Sequence, residues 1–181
     1  MRCPLLYVSL LLGLATHTFA VIAWNEAVNG DLSSNPSAPS LISLVVGTNS
    51  VIASSGGGDH DYFTFTIGAG ESLASFMLAS YASSDPVAFV AIQVGSSWTA
   101  GNNTSLMIAW QHMGPGNVGN SLLGITSTTP LGPGTYTVRA QQLGAQTDYQ
   151  FDLVVVPEPA SLLLASIGLA TLAVRRRLQG S

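Results

Sequence analysis

Alternation of apolar and polar residues along the middle of this chain constrains its fold more than any other feature. The segments 61–67, 135–141 and 149–155 each place apolar side chains at every second position. Side chains on a β-strand point alternately to the two faces of a sheet, so a period of two predicts strands with one buried face. The middle of the chain has no stretch with the 3.6-residue period of an amphipathic helix. The sequence therefore predicts an all-β body.

Turn residues divide this body at short intervals. Ser83 to Pro86 separates the apolar runs 73–79 and 87–94, which we expect to be central strands. The segments 135–141 and 149–155 are expected to pair as a closing hairpin. Short strands at this spacing predict an antiparallel β-sandwich of about seven to nine strands.

Other parts of the body carry weaker signals. Residues 25–40 are rich in Asn, Ser, Pro and Asp and predict an irregular lead-in, and the run 41–46 predicts the first strand. The runs 106–110 and 122–125 are further strand candidates, with a Gly- and Pro-rich loop over 114–120 between them.

The N-terminus has the parts of a secretory signal peptide. Arg2 supplies a positive charge, residues 5–14 are apolar, and small residues at Thr18 and Ala20, or at positions 21 and 23, offer cleavage sites. About ten apolar residues fall short of the ~20 that span a bilayer. We therefore expect residues 1–23 to be removed, with the mature chain beginning near Val21 or Trp24.

The C-terminus combines three features in a row: a proline-flanked acid, an apolar run and a basic cluster. The first is Val156-Pro157-Glu158-Pro159-Ala160-Ser161, followed by the run Leu162–Val174 and by Arg175, Arg176 and Arg177. Proline cannot donate to a strand ladder, so the β domain is expected to end here and leave the backbone around Glu158 accessible. A helix over 160–174 is about 22 Å long at ~1.5 Å per residue, short of the ~30 Å hydrocarbon core. The arginines place the C-terminus on the cytoplasmic side.

These C-terminal residues resemble the PEP-CTERM sorting signal of Gram-negative bacteria. The resemblance implies a partner, an exosortase-type transpeptidase in the membrane that cuts near Pro157-Glu158-Pro159. It also implies that Leu162–Val174 holds the chain in the inner membrane transiently, before release to the cell surface or medium. The domain organisation expected is a signal peptide over 1–23, an exported sandwich over 24–155 and a sorting signal with a transmembrane helix over 156–181.

A second resemblance concerns the body. Asp59-x-Asp61-Tyr62-Phe63-Thr64-Phe65, together with Gly134–Val138 and Tyr149-x-Phe151-x-Leu153, is similar to the bacterial pre-peptidase C-terminal β-sandwich. That family comprises non-catalytic modules appended to secreted enzymes, so the resemblance implies an accessory or adhesive role.

Charge and cysteine content exclude several functions. Arg139 is the one basic residue between Arg2 and Arg175, and it is outnumbered by acids at positions 26, 31, 59, 61, 71, 85, 148 and 152. An acidic body repels phosphate backbones, so nucleic acid is not an expected partner. The only cysteine is Cys3, within the leader, so the mature protein has no disulfide.

Catalytic groups are scarce. His60 and His112 are the histidines that follow the leader, there is no lysine, and no Gly-x-Ser-x-Gly elbow is present. We expect no enzyme and no cofactor. A secreted hydrolase is kept as a distant alternative that requires one of these histidines to bond both a carboxylate and a hydroxyl.

Two binding sites stay open as alternatives. Asp59 and Asp61 follow a run of three glycines and offer oxygen to calcium, but two carboxylates are few for an ion with about 6–8 ligands, and solvated turn residues explain them as well. Trp98, Trp110 and Tyr81 offer a surface for sugar stacking, although aromatic residues in β proteins are more often core.

The function expected is therefore a structural or adhesive one. The exported protein is processed by an exosortase and joins a biofilm or exopolysaccharide matrix. A carbohydrate-binding module that uses Trp98, Trp110 and Tyr81 is the alternative, with exopolysaccharide as the partner.

Overall fold

The computed structural model describes residues 20–123 and 130–158, which contain nine β-strands in two sheets. In chain order the strands are β1 (Ala20–Asn25), β2 (Ser40–Leu41), β3 (Gly47–Ser55), β4 (His60–Ile67), β5 (Glu71–Ser83), β6 (Ala88–Val94), β7 (Ala109–Met113), β8 (Gly134–Gln141) and β9 (Thr147–Pro157). One short helix, α1 (Glu26–Asn29), follows β1, and 3-10 turns lie at Thr104–Leu106 and Pro115–Asn117. The four-stranded sheet has the order β1-β3-β9-β5 and the five-stranded sheet the order β2-β4-β8-β6-β7. The predicted β-sandwich is confirmed.

Large apolar side chains fill the space between the sheets. Phe63 and Phe65 of β4 oppose Phe76 of β5 and Phe151 of β9, and all four are at most 1% exposed. The rings of Phe76 and Phe151 meet edge to face with their centroids 4.9 Å apart. Burial of each such side chain stabilises the fold by about 1.5–3 kcal/mol, so the alternating residues of the sequence supply the core.

The predicted closing hairpin is wrong. β8 lies between β4 and β6 in the five-stranded sheet, whereas β9 lies between β3 and β5 in the four-stranded sheet. Alternation reveals which side chains of a strand are buried, but both sheets of a sandwich bury one face, so it cannot assign a strand to a sheet. For the same reason β5, expected to be central, is an edge strand of its sheet.

The lead-in is more regular than its composition suggests. Within it α1 begins after Asn25, whose side chain accepts a hydrogen bond from the backbone N–H of Ala27. β1 pairs with β3 and β2 pairs with β4, each in parallel, while the other strand pairs are antiparallel. The sandwich is therefore mixed rather than wholly antiparallel, because the N-terminal segment enters along the edge of both sheets.

The weaker strand candidates shift in position. The run 41–46 contributes only Leu41 to β2, and the strand expected over 106–110 begins at Ala109, after the 3-10 turn that ends at Leu106. Of the run 122–125, only Leu122 and Leu123 are described, and both are buried.

Both ends of the sandwich reach beyond the predicted domain limits. β1 begins at Ala20, inside the segment assigned to the signal peptide, and β9 continues two residues past position 155. The rest of the predicted signal peptide, residues 1–19, and the hydrophobic segment Leu162–Val174 lie outside the described residues. Within 20–123 and 130–158, no helix has the length and apolar character needed to cross a membrane.

Candidate functional site

The sorting motif begins inside the last strand. β3 pairs with β9 as far as Val155, whereas β5 continues along β9 to Pro157. The backbone N–H of Glu158 donates to the carbonyl of Gly70 at 2.8 Å, on the β5 side. Backbone groups of successive residues point to opposite sides of a strand, so the nitrogen of Pro157 faces the side where β3 has ended. The missing N–H of the proline therefore breaks no ladder bond.

Glu158 is the last residue of the motif that the structure describes. Pro157 and Glu158 are exposed, although the backbone N–H of Glu158 is held by β5. The remaining motif residues, Pro159, Ala160 and Ser161, and the cluster Arg175, Arg176 and Arg177 lie outside the described residues. The first motif residues thus belong to β9, and no linker separates the motif from the sandwich.

Asp61 is the most unusual carboxylate of the body. It is fully buried beside the core, and its Oδ2 accepts a hydrogen bond from the Tyr149 hydroxyl at 2.6 Å. Burial, with a smaller contribution from neighbouring acids, raises the pKa of Asp61 to about 8, even though the Tyr149 bond acts to lower the pKa. Burial also raises the pKa of Tyr149 well above its usual value.

Asp59 does not join Asp61. Instead, one carboxylate oxygen from each of Glu26, Asp31 and Asp61 lies within 4.8 Å of the other two. Asp59 lies in the turn before β4, where its carbonyl accepts a hydrogen bond from the Ser55 hydroxyl. The sequence spacing of Asp59 and Asp61 thus identified one of the clustered acids and missed two.

The two histidines lie in different surroundings. His60 is half-buried at the start of β4, and burial together with the charge of Arg139 lowers the pKa of its imidazole. Its Nε2 has no hydrogen-bond partner among the described residues. His112 is exposed on β7, and neither imidazole bonds a carboxylate within 20–123 and 130–158.

Aromatic residues cover the outer face of the five-stranded sheet. Phe89 of β6 stacks on Trp110 of β7 at 6.3 Å between ring centroids and 27° between planes. His112 meets both rings nearly edge on, at 6.1 and 6.4 Å. We call Phe89, Trp110 and His112 the aromatic platform, and the cross-strand register that places Phe89 opposite His112 holds it together.

Arg139 forms hydrogen bonds that hold the loop 95–108, which follows β6, against this face. Its guanidinium donates to the Gly101 carbonyl and the Asn102 side chain, both at 2.9 Å, and to the side chain of Gln141. It also lies 5.7 Å from the ring centroid of Phe89 and 6.0 Å from that of Trp98. A guanidinium at this distance attracts the face of an aromatic ring.

A groove of about 680 Å³ opens beside the platform. Phe89 and His112 form part of its wall, and Asp85, Asn102 and Gln141 supply polar groups. Aromatic faces beside amide and carboxylate groups are suited to a ligand that has apolar faces and many hydroxyls.

The three aromatic residues chosen from the sequence do not share one surface. Trp98 is 6% exposed and packs against Tyr62, and its indole N–H donates to the Gly101 carbonyl at 3.1 Å. Trp110 belongs to the platform. Tyr81 lies on β5, in the other sheet, and its hydroxyl donates to the Asp85 carbonyl at 2.8 Å. Alternation with buried residues could have identified Phe89 and His112 as outward-facing side chains. That the two lie opposite each other depends on the register between β6 and β7.

Comparison with known proteins adds one finding. Residues 155–177 match the family model of the PEP-CTERM protein-sorting motif. No curated protein and no solved structure matches the chain. The resemblance drawn from the C-terminal residues is confirmed, while the resemblance to the pre-peptidase C-terminal sandwich stays a prediction.

Proposed function

Because residues 155–177 are a PEP-CTERM protein-sorting motif, we propose that this is an exported protein processed at its C-terminus by an exosortase-type membrane enzyme. The observation that carries the proposal is the continuity between β9 and the motif. The sandwich is folded up to Pro157, which is also the first proline of the segment for recognition. The substrate role thus belongs to the tail and needs no catalytic group in the body.

We place the mature N-terminus at Val21. Cleavage after Ala20 leaves nearly all of β1 to pair with β3, whereas cleavage after Ala23 leaves only two residues of the strand. The parallel ladder of β1 then ties the start of the mature chain to the same sheet that carries β9. The proposed N-terminal and C-terminal cleavage sites therefore lie at the two ends of one folded body.

The role proposed for the body is non-catalytic. It is a structural or adhesive component of the cell surface or of an extracellular matrix. Its acidic charge, its lack of cysteine and its continuous core suit a protein that persists outside the cell without a cofactor.

The processing proposal is tested by intact mass and cell fractionation of the protein from its native host. A variant with Pro157, Glu158 and Pro159 replaced by alanine should keep its C-terminal segment and stay in the membrane fraction. The native protein should lose that segment and reach the surface or medium, and its mass should place the N-terminus at Val21.

Glu71→Ala is the matched control, because Glu71 lies opposite Pro157 at the same end of the sandwich but outside the motif. It should be processed like the native chain. If the alanine variant is processed normally, or if Glu71→Ala fails equally, recognition does not depend on the motif and the proposal is wrong.

The aromatic platform supports a second candidate function, binding of exopolysaccharide in the groove. Sugar rings stack on aromatic faces, and Asn102 and Gln141 offer amide groups for the hydroxyls. We propose that Phe89 and His112 form the contact, rather than the set of Trp98, Trp110 and Tyr81 suggested by the sequence.

This candidate is tested with exopolysaccharide purified from the host and measured by affinity electrophoresis. His112→Ala should weaken the affinity for the polysaccharide about tenfold, equivalent to about 1.4 kcal/mol, because it removes one of the two proposed contacts. The side chain is exposed, so its removal should leave the core packing unchanged. Gln150→Ala, on the outer face of the other sheet, should leave retardation unchanged. Unretarded native protein, or equal retardation of native protein and His112→Ala, would exclude a glycan site here.

A further inference from the structure

Three acidic side chains from separate parts of the N-terminal half converge beside the core. Glu26 lies in α1, Asp31 lies in the loop that follows, and Asp61 lies in β4. One oxygen from each carboxylate is within 4.8 Å of the other two. We call these residues the acidic cluster. Like charges at this distance repel each other, so the arrangement favours a bound proton or cation.

Asp61 gives an independent sign that a ligand belongs here. The residue has 0% of its surface exposed, and Oδ2 is bonded to the Tyr149 hydroxyl. The other oxygen, Oδ1, is buried and has no hydrogen-bond partner among the described residues. An unpaired buried carboxylate oxygen is costly, and such oxygens in proteins are normally bonded or bound to a metal.

Within residues 20–123 and 130–158, no basic side chain forms an ion pair with the acidic cluster. Arg139 is the only basic residue between Arg2 and Arg175, and its guanidinium is bonded to Gly101, Asn102 and Gln141 on the outer face of the five-stranded sheet. The charges that act on Asp61 come from Glu26, Asp59 and Asp31, and all of them are negative. A cation from solution could therefore compensate the cluster, in competition with the proton that Asp61 binds at its raised pKa.

We propose that Glu26, Asp31 and Asp61 bind a calcium ion. The donors are all carboxylate oxygens, which hard divalent cations prefer, and calcium takes them at about 2.3–2.6 Å. Two oxygens on one calcium ion are therefore at most about 5 Å apart, which accommodates the observed spacing. Asp31 is exposed, so water completes the coordination from the solvent side.

The bound ion would tie the N-terminal segment to the sandwich. The Glu26 carboxylate already accepts hydrogen bonds from the backbone N–H of Leu32 at 3.1 Å and of Ser54 in β3 at 2.7 Å. Calcium adds a connection from the same carboxylate to β4 of the opposite sheet through Asp61. The ion therefore joins both sheets and the segment that follows the signal peptide.

The test is calcium titration of the processed protein from its host by isothermal calorimetry, after removal of metal with EGTA. We expect one site with a dissociation constant of about 10⁻⁴–10⁻³ M, the range of extracellular calcium modules. Calcium should also slow proteolysis in the segment 26–33. Absence of heat and of protection up to about 10 mM calcium, well above that range, would overturn the proposal.

Asp61→Asn and Asp59→Asn form the matched pair, since each replaces one carboxyl group by an amide in the same short segment. Asp61→Asn should weaken calcium binding at least about tenfold, whereas Asp59→Asn, outside the cluster, should change it less than about twofold. Equal losses would show a diffuse charge effect and contradict a defined site. If Asp61→Asn does not fold, Asp31→Asn provides the same comparison from an exposed position.

Discussion

The outer faces of the two sheets differ in what covers them. On the five-stranded sheet, Trp98 and its loop fold back over the surface, and Arg139 holds the loop in place. On the four-stranded sheet, the outer face carries a small polar network in which Asp152 accepts hydrogen bonds from Ser50 and Gln150, at 2.7 and 2.8 Å. Water can replace the bonds of the second face but not the packing of the first.

This difference is the reason for placing the proposed glycan site on the five-stranded sheet. The groove lies beside the loop that covers the five-stranded sheet. Phe89 and His112 line it together with polar side chains. The groove is lined by Asn102 and Thr104 of the loop 95–108 together with residues of the segments 85–89 and 141–144.

The largest effect should come from the core that both sheets share. Phe151→Ala removes a fully buried ring in contact with Phe76 and should lower the free energy of unfolding by about 3–5 kcal/mol. Urea denaturation followed by tryptophan fluorescence measures the loss. A change below about 1 kcal/mol would show that the two faces are stabilised independently of the common core.

An intermediate effect should follow from releasing the loop. Arg139→Met keeps an apolar stem but removes the hydrogen bonds to Gly101 and Asn102 and the contacts with Phe89 and Trp98, so we expect a loss of about 1–3 kcal/mol. Hydrogen exchange should rise in the loop 95–108. Native stability with unchanged exchange would mean that the aromatic packing alone holds the covered face.

The smallest effect should come from the solvated face. Asp152→Asn should change the free energy of unfolding by less than about 0.5 kcal/mol, because water satisfies the groups it leaves. The same urea titration measures it, with Arg139→Met in parallel. A loss as large as that of Arg139→Met would remove the contrast between the faces.

The strand pattern was readable from the sequence wherever one face is buried. Alternation over 61–67, 135–141 and 149–155 identified β4, β8 and β9, because a half-buried strand needs an apolar residue at every second position. The same pattern could not assign β8 and β9 to different sheets. β1, which reads as part of the leader, gave no such signal because its first residues, such as Ile22, are exposed on an edge strand.

The candidate sites divide in the same way. The sorting motif was found from sequence because it is a linear signal in which neighbouring residues act together. The acidic cluster was only partly found, because Glu26 and Asp31 are distant from Asp61 along the chain and meet it only when the N-terminal segment follows the edge of the sandwich. The platform depended on the register that sets Phe89 opposite His112.

The sequence by itself determined the β class, the acidic and cysteine-free body and the sorting motif at the C-terminus. Composition and short-range order are sufficient for these properties. Only the tertiary structure decided which sheet each strand joins, that Arg139 bonds the loop 95–108 beside the rings of Phe89 and Trp98, and that the buried Asp61 lies close to two other acids. These features depend on contacts between residues far apart in the chain, which form when burial of the shared core brings the strands together.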